Sequence, residues 1–138
     1  MGIGGHVTTI VVDVANVMGS RPDGWWRDRA GAAVRLHAEI VRLAASGRAI
    51  LRDEPSPGFV MVLEGAARAA VARMAPAEPG PVRIVQARGS GDDAIVAVVR
   101  ELPGRRVVVT ADRELRDRCV AAGAEILGPG WLLGLLRP

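Results

Sequence analysis

The alternation of short apolar segments with amphipathic ones most constrains the fold of this chain. Strands are predicted at residues 7–12 (VTTIVV), 59–63 (FVMVL), 82–87, 106–110 (RVVVT) and 125–127. Helices are predicted at residues 26–45, 66–75, 90–102 and 112–122, and a terminal apolar segment at residues 131–136. Strand and helix thus alternate about five times, which predicts a three-layer α/β/α sandwich with a mainly parallel sheet of about five strands.

Two connecting segments are rich in turn-forming residues. The segment after the first strand, from Asp13 to Trp25, contains Gly19, Pro22 and Gly24 and is predicted as a loop. Trp26 then begins the helical spacing of apolar residues, so we expect it to anchor that helix in the core. The proline-rich stretch at residues 75–81 is predicted as a long connection within one domain.

Size and hydropathy suit a single domain over residues 1–138. The chain is 49% hydrophobic and 24% charged, enough apolar residues to bury a core of its own. Its longest stretch without a charged residue ends at Val12, which is too short to span a bilayer. The first residues also lack the basic region of a signal peptide. We therefore expect a cytoplasmic protein with no membrane partner.

The basic residues exclude several kinds of chemistry. All 18 are arginines, so phosphate binding by a Walker A lysine and Schiff-base catalysis are excluded. One cysteine and two histidines cannot form a zinc site of usual spacing, so any metal must be held by oxygen. The net charge of +3 permits nucleic-acid binding, although GC-rich coding explains the arginine usage equally well.

Acidic residues follow the predicted strands. Asp13 follows the first strand, Glu64 the second and Asp112 the fourth, while Asp92 and Asp93 begin a helix. Because parallel strands end at one edge of a sheet, these carboxylates should converge there. Their repulsion would be relieved by Mg²⁺ or Mn²⁺, which can activate water for phosphodiester hydrolysis.

Each acid also has a simpler structural explanation. Asp92 and Asp93 could complement a helix dipole, Asp112 could be a helix N-cap, and Glu64 could be a solvated loop acid. Asp13 is harder to explain this way, because an acid after a buried strand is costly to desolvate unless something pairs with it. The joint placement of the acids favours the functional interpretation.

The residues around these acids carry a family resemblance. The run at residues 11–19 (VVDVANVMG) resembles the first-strand motif of PIN-like nucleases, in particular the NYN group with its YacP-type ribonucleases, where the strand ends D-G-x-N. Residues 62–65 (VLEG), 90–93 (SGDD) and 110–112 (TAD) are similar to that family's later acidic motifs. The resemblance spans residues 7–127 and implies a PIN-like strand order of 3-2-1-4-5 with a ligand crevice at the switch point between strands 1 and 4.

The resemblance also implies roles for individual residues. Asp13, Asp92 and Asp112 would be catalytic and would bind the metal, while Glu64 and Asp93 would assist as further ligands. Asn16 would orient the Asp13 loop or contact the substrate. Two positions depart from the motif, because Val14 replaces a glycine and Glu64 replaces an aspartate. Either departure could weaken catalysis.

The candidate RNA contacts are Arg21, Trp25 and Arg88 in addition to Asn16. The segment at residues 21–27 (RPDGWWR) offers aromatic faces for base stacking and arginines for phosphate, and Arg88 lies just before the acidic helix start.

Three functions are consistent with these features. The first is a Mg²⁺- or Mn²⁺-dependent endoribonuclease with RNA as its partner. The second is a non-catalytic RNA-binding or partner-binding module that retains the fold. Hydrolysis of a small nucleotide is less favoured, because the Nudix spacing G-x5-E-x7-R-E is absent. Homo-oligomerisation and a ribosomal or RNA-processing partner stay open.

Overall fold

The computed structural model describes residues 8–54, 56–74 and 80–137. Its sheet has five parallel strands in the order β3-β2-β1-β4-β5, which confirms the predicted topology. The strands are β1 Thr8–Asp13, β2 Gly58–Leu63, β3 Val82–Gln86, β4 Arg105–Val109 and β5 Glu125–Leu127. Each strand lies within two residues of its predicted position. The predicted start of β1 at residue 7 lies outside the described residues, as does most of the proline-rich connection.

Helices cover both faces of the sheet. The α-helices are α1 Val14–Gly19, α2 Arg29–Ala45, α3 Gly91–Glu101, α4 Arg113–Ala121 and α5 Pro129–Leu136. Two 3₁₀ helices occur at Trp25–Arg27 and Gly65–Arg73. Ile10 and Val12 of β1 pack in one core with α1, α2 and α5. Val11 packs in a second core with α3 and α4 on the opposite face. The predicted three-layer sandwich is therefore confirmed.

The central strand β1 positions the candidate site. It pairs with β2 on one side and with β4 on the other, and all six of its residues are buried. The register aligns Asp13 with Val62 of β2, and Val12 with Val109 of β4. All three strands therefore end at the same level, which brings the residues that follow them to one edge.

The predicted loop after β1 is wrong in its first half, because α1 begins directly at Val14. Asp13 ends the strand and also serves as N-cap of this helix, since its Oδ1 accepts a hydrogen bond from the Asn16 backbone N–H at 3.3 Å. A strand therefore passes into a helix without an intervening turn.

The predicted start of the second helix at Trp26 is also wrong. The helix α2 begins at Arg29, because the Asp28 carboxylate accepts a hydrogen bond from the Gly31 N–H at 2.9 Å and caps it. Trp26 lies in the preceding 3₁₀ helix, where it is 55% exposed rather than part of the core.

The segment after β2 also differs from its prediction. The helix predicted at residues 66–75 is the 3₁₀ helix Gly65–Arg73, which has no side-chain N-cap hydrogen bond, and residue 75 lies outside the described part. In α4, Leu115 and Cys119 are buried, whereas Val120 is 57% exposed. One residue turns a helix by about 100°, so Val120 cannot share the face of Cys119.

No described helix is long and apolar enough to cross a bilayer.

Candidate active site

Asp13 is the buried centre of the site. Its side chain accepts a hydrogen bond from the Thr110 hydroxyl at 2.9 Å, in addition to the one from the Asn16 N–H. The pKa of Asp13 is raised to about 6, chiefly by burial and to a smaller extent by the negative charges of Asp92 and Glu64, although the two hydrogen bonds lower it. The surroundings of the Asp13 carboxyl group therefore disfavour its charged form.

The loop after β4 is tied to the loop after β1. The Thr110 hydroxyl, which donates to Asp13, also accepts a hydrogen bond from the Asp112 N–H at 3.1 Å. The side-chain oxygen of Asn16 accepts a hydrogen bond from the Ala111 N–H at 2.8 Å. Asp112 then caps α4, because its Oδ1 accepts from the Leu115 N–H at 2.9 Å. Asn16 and Thr110 therefore hold the backbone that carries Asp112 beside Asp13.

Glu64 connects the end of β2 to the start of α3. Its Oε2 accepts a hydrogen bond from the Gly91 N–H at 2.8 Å. Gly91 is buried, and a Cβ built on it would lie 2.7 Å from the carboxyl carbon of Glu64. The contact therefore requires glycine at position 91, and it places the Glu64 carboxylate against the first turn of α3.

Asp92, in that first turn, completes the cluster. Its pKa is raised, chiefly by burial, and then by the negative charges of Asp112 and Glu64. Arg118 opposes this shift, and Glu114 adds a smaller contribution in the same direction as the other acids. The charges of Asp92 and Glu64 therefore act on Asp13, and those of Asp112 and Glu64 act on Asp92.

Asp93 stands apart from the other acids. Its side chain is 73% exposed and forms an ion pair with Arg118 of α4 at 2.9 Å. Its backbone N–H donates to the Ser90 hydroxyl at 3.3 Å, so Ser90 is the N-cap of α3.

The cluster fits a hard divalent cation in donor type and in charge. Its donors are carboxylate oxygens, and a bound cation would favour the charged forms of Asp13 and Asp92, which burial and then repulsion between the acids disfavour. As placed, however, no three His, Cys, Asp or Glu side chains among the described residues are arranged to ligate one ion directly. An ion that keeps several of its waters, as Mg²⁺ does, suits such a site better than a fully dehydrated one.

The candidate RNA contacts differ in how they are held. Arg21 is engaged by the Glu39 carboxylate through two hydrogen bonds, at 2.7 Å and 2.9 Å. Trp25 is half-buried and packs against the core. Arg88 is exposed and lies two residues after the end of β3. Of these three side chains, Arg88 has the greatest access to solvent.

One residue near the cluster was not identified from the sequence. Arg68 lies in the 3₁₀ helix after Glu64, where its Nη1 donates to the Ala87 carbonyl at 3.3 Å and its Nε to the Gly65 carbonyl at 3.4 Å. It therefore bridges the segments that follow β2 and β3, close to Arg88. An isolated arginine in an alanine-rich segment carries no motif that would reveal this placement.

The sheet order and the helices on both faces define a three-layer α/β protein with a YacP-like fold. A solved structure with this fold is Rae1 (YacP) from Bacillus subtilis, determined as a single-substitution mutant. The likeness has a TM-score of 0.64 and covers 93% of this chain and 73% of that chain, with 15% sequence identity. The sequence matches no family model and no curated protein.

Proposed function

We propose that this protein is a Mg²⁺- or Mn²⁺-dependent endoribonuclease that hydrolyses RNA phosphodiester bonds at the carboxylate cluster. The observation that carries the proposal is the buried Asp13, whose pKa is raised to about 6 at the end of the central strand with further acids beside it. Uncharged residues would make the same strand end more stable, because burying like charges together is unfavourable. A bound cation would explain why acids occupy these positions, because it would offset their negative charge.

The acids of the cluster would contribute unequally to holding the ion. Asp13, Asp92 and Asp112 would hold the ion, in part through its waters, and Glu64 would assist them from the end of β2. Asp93 is the weakest of the proposed ligands, because Arg118 already neutralises its charge. When bound, Mg²⁺ or Mn²⁺ supplies an activated water and offsets the charge that develops on the phosphate.

Two observations support RNA as the substrate. The fold is YacP-like, and the motifs around Asp13, Glu64 and Asp112 resemble those of the YacP-type ribonucleases. Arg68 and Arg88 lie in the segments that follow β2 and β3, at the edge of the sheet that carries the acids, and would provide positive charge for the phosphates that flank the cleaved bond. Arg21 and Trp25 remain predicted substrate contacts. A cytoplasmic location and a ribosomal partner also remain predictions.

Cleavage assays with neutralised acids test the proposal. Single-stranded and structured RNAs are incubated with wild-type protein and with Asp13→Asn or Asp112→Asn, in Mg²⁺ and in Mn²⁺. Asparagine is as good an N-cap as aspartate, so Asp112→Asn removes the charge and keeps the start of α4. We expect both variants to lose at least 100-fold in rate, about 2.7 kcal/mol of transition-state stabilisation.

The matched control is Glu101→Gln, which neutralises an exposed acid at the opposite end of α3 from Asp92. We expect it to cleave at the wild-type rate. Wild-type protein that never cuts RNA, or aspartate variants that cut as well as wild type, would show that this is not a nuclease.

A non-catalytic RNA-binding module is the second candidate. It is favoured by the lack, among the described residues, of three acidic side chains arranged to ligate an ion directly. Titration calorimetry separates the two candidates. RNA binding without metal, together with no measurable Mn²⁺ binding, would favour the module.

A further inference from the structure

Trp26 is the most exposed aromatic side chain in the described part of the chain. It is 55% exposed, although burial of a tryptophan side chain is strongly favourable. It lies in the 3₁₀ helix Trp25–Arg27, between α1 and α2. Among the described residues, Trp26 neither belongs to one of the two cores nor packs against one.

The backbone around Trp26 is fixed. Gly24 adopts a positive φ of 77° and its carbonyl accepts a hydrogen bond from the Arg27 N–H at 3.0 Å, while Asp28 caps the start of α2. Trp25 packs edge-to-face against Trp26, with ring centroids 6.0 Å apart, and itself rests on the core. The exposed ring is therefore held in place before any ligand arrives.

Two arginines surround the tryptophan pair. The Arg27 guanidinium lies 5.8 Å from the centroid of the Trp26 ring, and that of Arg29 lies 5.0 Å from the Trp25 ring. An aromatic face flanked by permanent positive charge can stack on a base and attract the adjoining phosphates.

The helix α1 connects this surface to the carboxylate cluster. Its six residues begin at Val14, directly after Asp13, and end at Gly19, so the helix is about 9 Å long. A Cβ built on Gly19 would lie 3.7 Å from the Trp25 ring, which places the tryptophan pair at the far end of this short helix. A strand of a few nucleotides can span such a distance.

We infer that Trp26 is a base-stacking platform that makes unpaired RNA the substrate class of the carboxylate cluster, with Trp25 as its support and Arg27 as a phosphate contact. This inference about the substrate class rests on the proposed ribonuclease function. It assigns stacking to Trp26 instead of Trp25, which is half-buried and braces the exposed ring. Bases in a duplex already stack on one another, so a duplex cannot use this contact without opening.

RNA binding in EDTA tests the inference separately from cleavage. Fluorescence anisotropy measures the Kd of labelled oligouridine and of a stable RNA duplex of equal length for wild type, Trp26→Ala and Trp26→Phe. The control is Val120→Ala, which truncates an exposed apolar side chain on α4. Thermal unfolding of each variant confirms that it folds, as expected for a side chain that is mostly exposed.

We expect Trp26→Ala to weaken binding of oligouridine about tenfold, the effect of losing one base stack, and to leave the duplex Kd unchanged. Trp26→Phe should retain most of the affinity, because phenylalanine keeps an aromatic face, and Val120→Ala should bind as wild type does. Binding of oligouridine should also quench tryptophan fluorescence in wild type and less in Trp26→Ala.

Equal affinity of wild type and Trp26→Ala, an equal loss for oligouridine and duplex, or no binding by wild type would overturn the inference. Each of these results leaves the cleavage assay to decide the nuclease proposal. Conversely, binding that depends on Trp26 in a protein that never cleaves RNA would overturn the nuclease proposal and support this contact.

Discussion

The Thr110 hydroxyl donates a hydrogen bond to Oδ2 of Asp13 across 2.9 Å, and the two residues are 97 positions apart in the sequence. The same hydroxyl accepts from the Asp112 N–H. One small side chain therefore links two of the proposed ligands and fixes the ends of the two central strands that carry them.

Replacing Thr110 with valine removes this link without changing the shape of the side chain. Because the Thr110 hydrogen bond lowers the pKa of Asp13, we expect Thr110→Val to raise that pKa further above 6. Loss of the bond should also lower the free energy of unfolding by about 1–3 kcal/mol. NMR titration of the Asp13 carboxyl and urea unfolding measure the two effects.

The control for this substitution is Thr110→Ser, which keeps the hydroxyl and should keep the pKa of Asp13 near its wild-type value. An unchanged Asp13 titration in Thr110→Val would mean that the hydrogen bond contributes little to the electrostatics of the site.

The raised pKa of Asp13 predicts how stability depends on pH. In metal-free protein Asp13 binds its proton more tightly than it does in the unfolded chain, where its pKa is 3.8. Stability from this group is therefore greatest below about pH 4 and is lost as pH rises towards 6. The loss is roughly 3 kcal/mol, because each pKa unit corresponds to about 1.4 kcal/mol.

Comparison with Asp13→Asn isolates this contribution. Asp53 and Glu125 have lowered pKa values and stabilise the protein in the opposite direction, but they are common to both proteins. In EDTA, the free energy of unfolding of the variant should therefore improve relative to wild type between pH 4 and pH 7. A constant difference over that range would contradict a raised pKa.

Metal binding should stabilise the folded chain. A ligand that binds only the folded state at 100 times its Kd contributes about 2.7 kcal/mol, which raises the Tm of a domain of this size by roughly 5–10 °C. We expect Mn²⁺ to produce such a shift in wild type and in Glu101→Gln, and to produce little or none in Asp92→Asn. Differential scanning fluorimetry provides the measurement, and equal shifts in all three proteins would place the ion elsewhere.

Gly91 provides a test of Glu64 that leaves Glu64 itself unchanged. A Cβ on Gly91 would collide with the Glu64 carboxyl group, the flexible end of a side chain, so Gly91→Ala should fold but displace this carboxylate. We expect at least a tenfold loss of RNA cleavage with a small change in Tm. Gly89→Ala is the matched control, because a Cβ there meets nothing within 4 Å. Equal activity of the two variants would mean that the position of Glu64 is unimportant.

The sequence predicts the sheet and the convergence of acids because both depend on simple patterns. β-Branched runs bounded by turns mark strands such as β1 and β2, and parallel strands must end at a common edge. Ser90 and Asp112 were also recognisable as helix starts, since side-chain capping has a short and local signature.

The parts that sequence did not predict depend on tertiary contacts or on competing signals. The helix α1 was missed because Asp13 acts at once as the end of a strand and as an N-cap. Trp26 was misplaced because the apolar spacing of α2 was extended past Asp28, the actual cap. The placement of Arg68 depends on the carbonyl of Ala87, which is 19 residues away, so no local pattern encodes it.

Two hydrogen bonds connect the segments that follow β1 and β4, one between Thr110 and Asp13 and one between Ala111 and Asn16. Both should oppose local unfolding of this edge of the sheet. Segments with many buried contacts open only at a cost close to that of global unfolding, and the strands behind this site are the most deeply buried of the sheet. We therefore expect amide protons of Val12 and Val109 to exchange with solvent as slowly as any in the molecule. The acidic cluster would then keep its shape until the whole domain melts, unlike sites that are built on mobile lids.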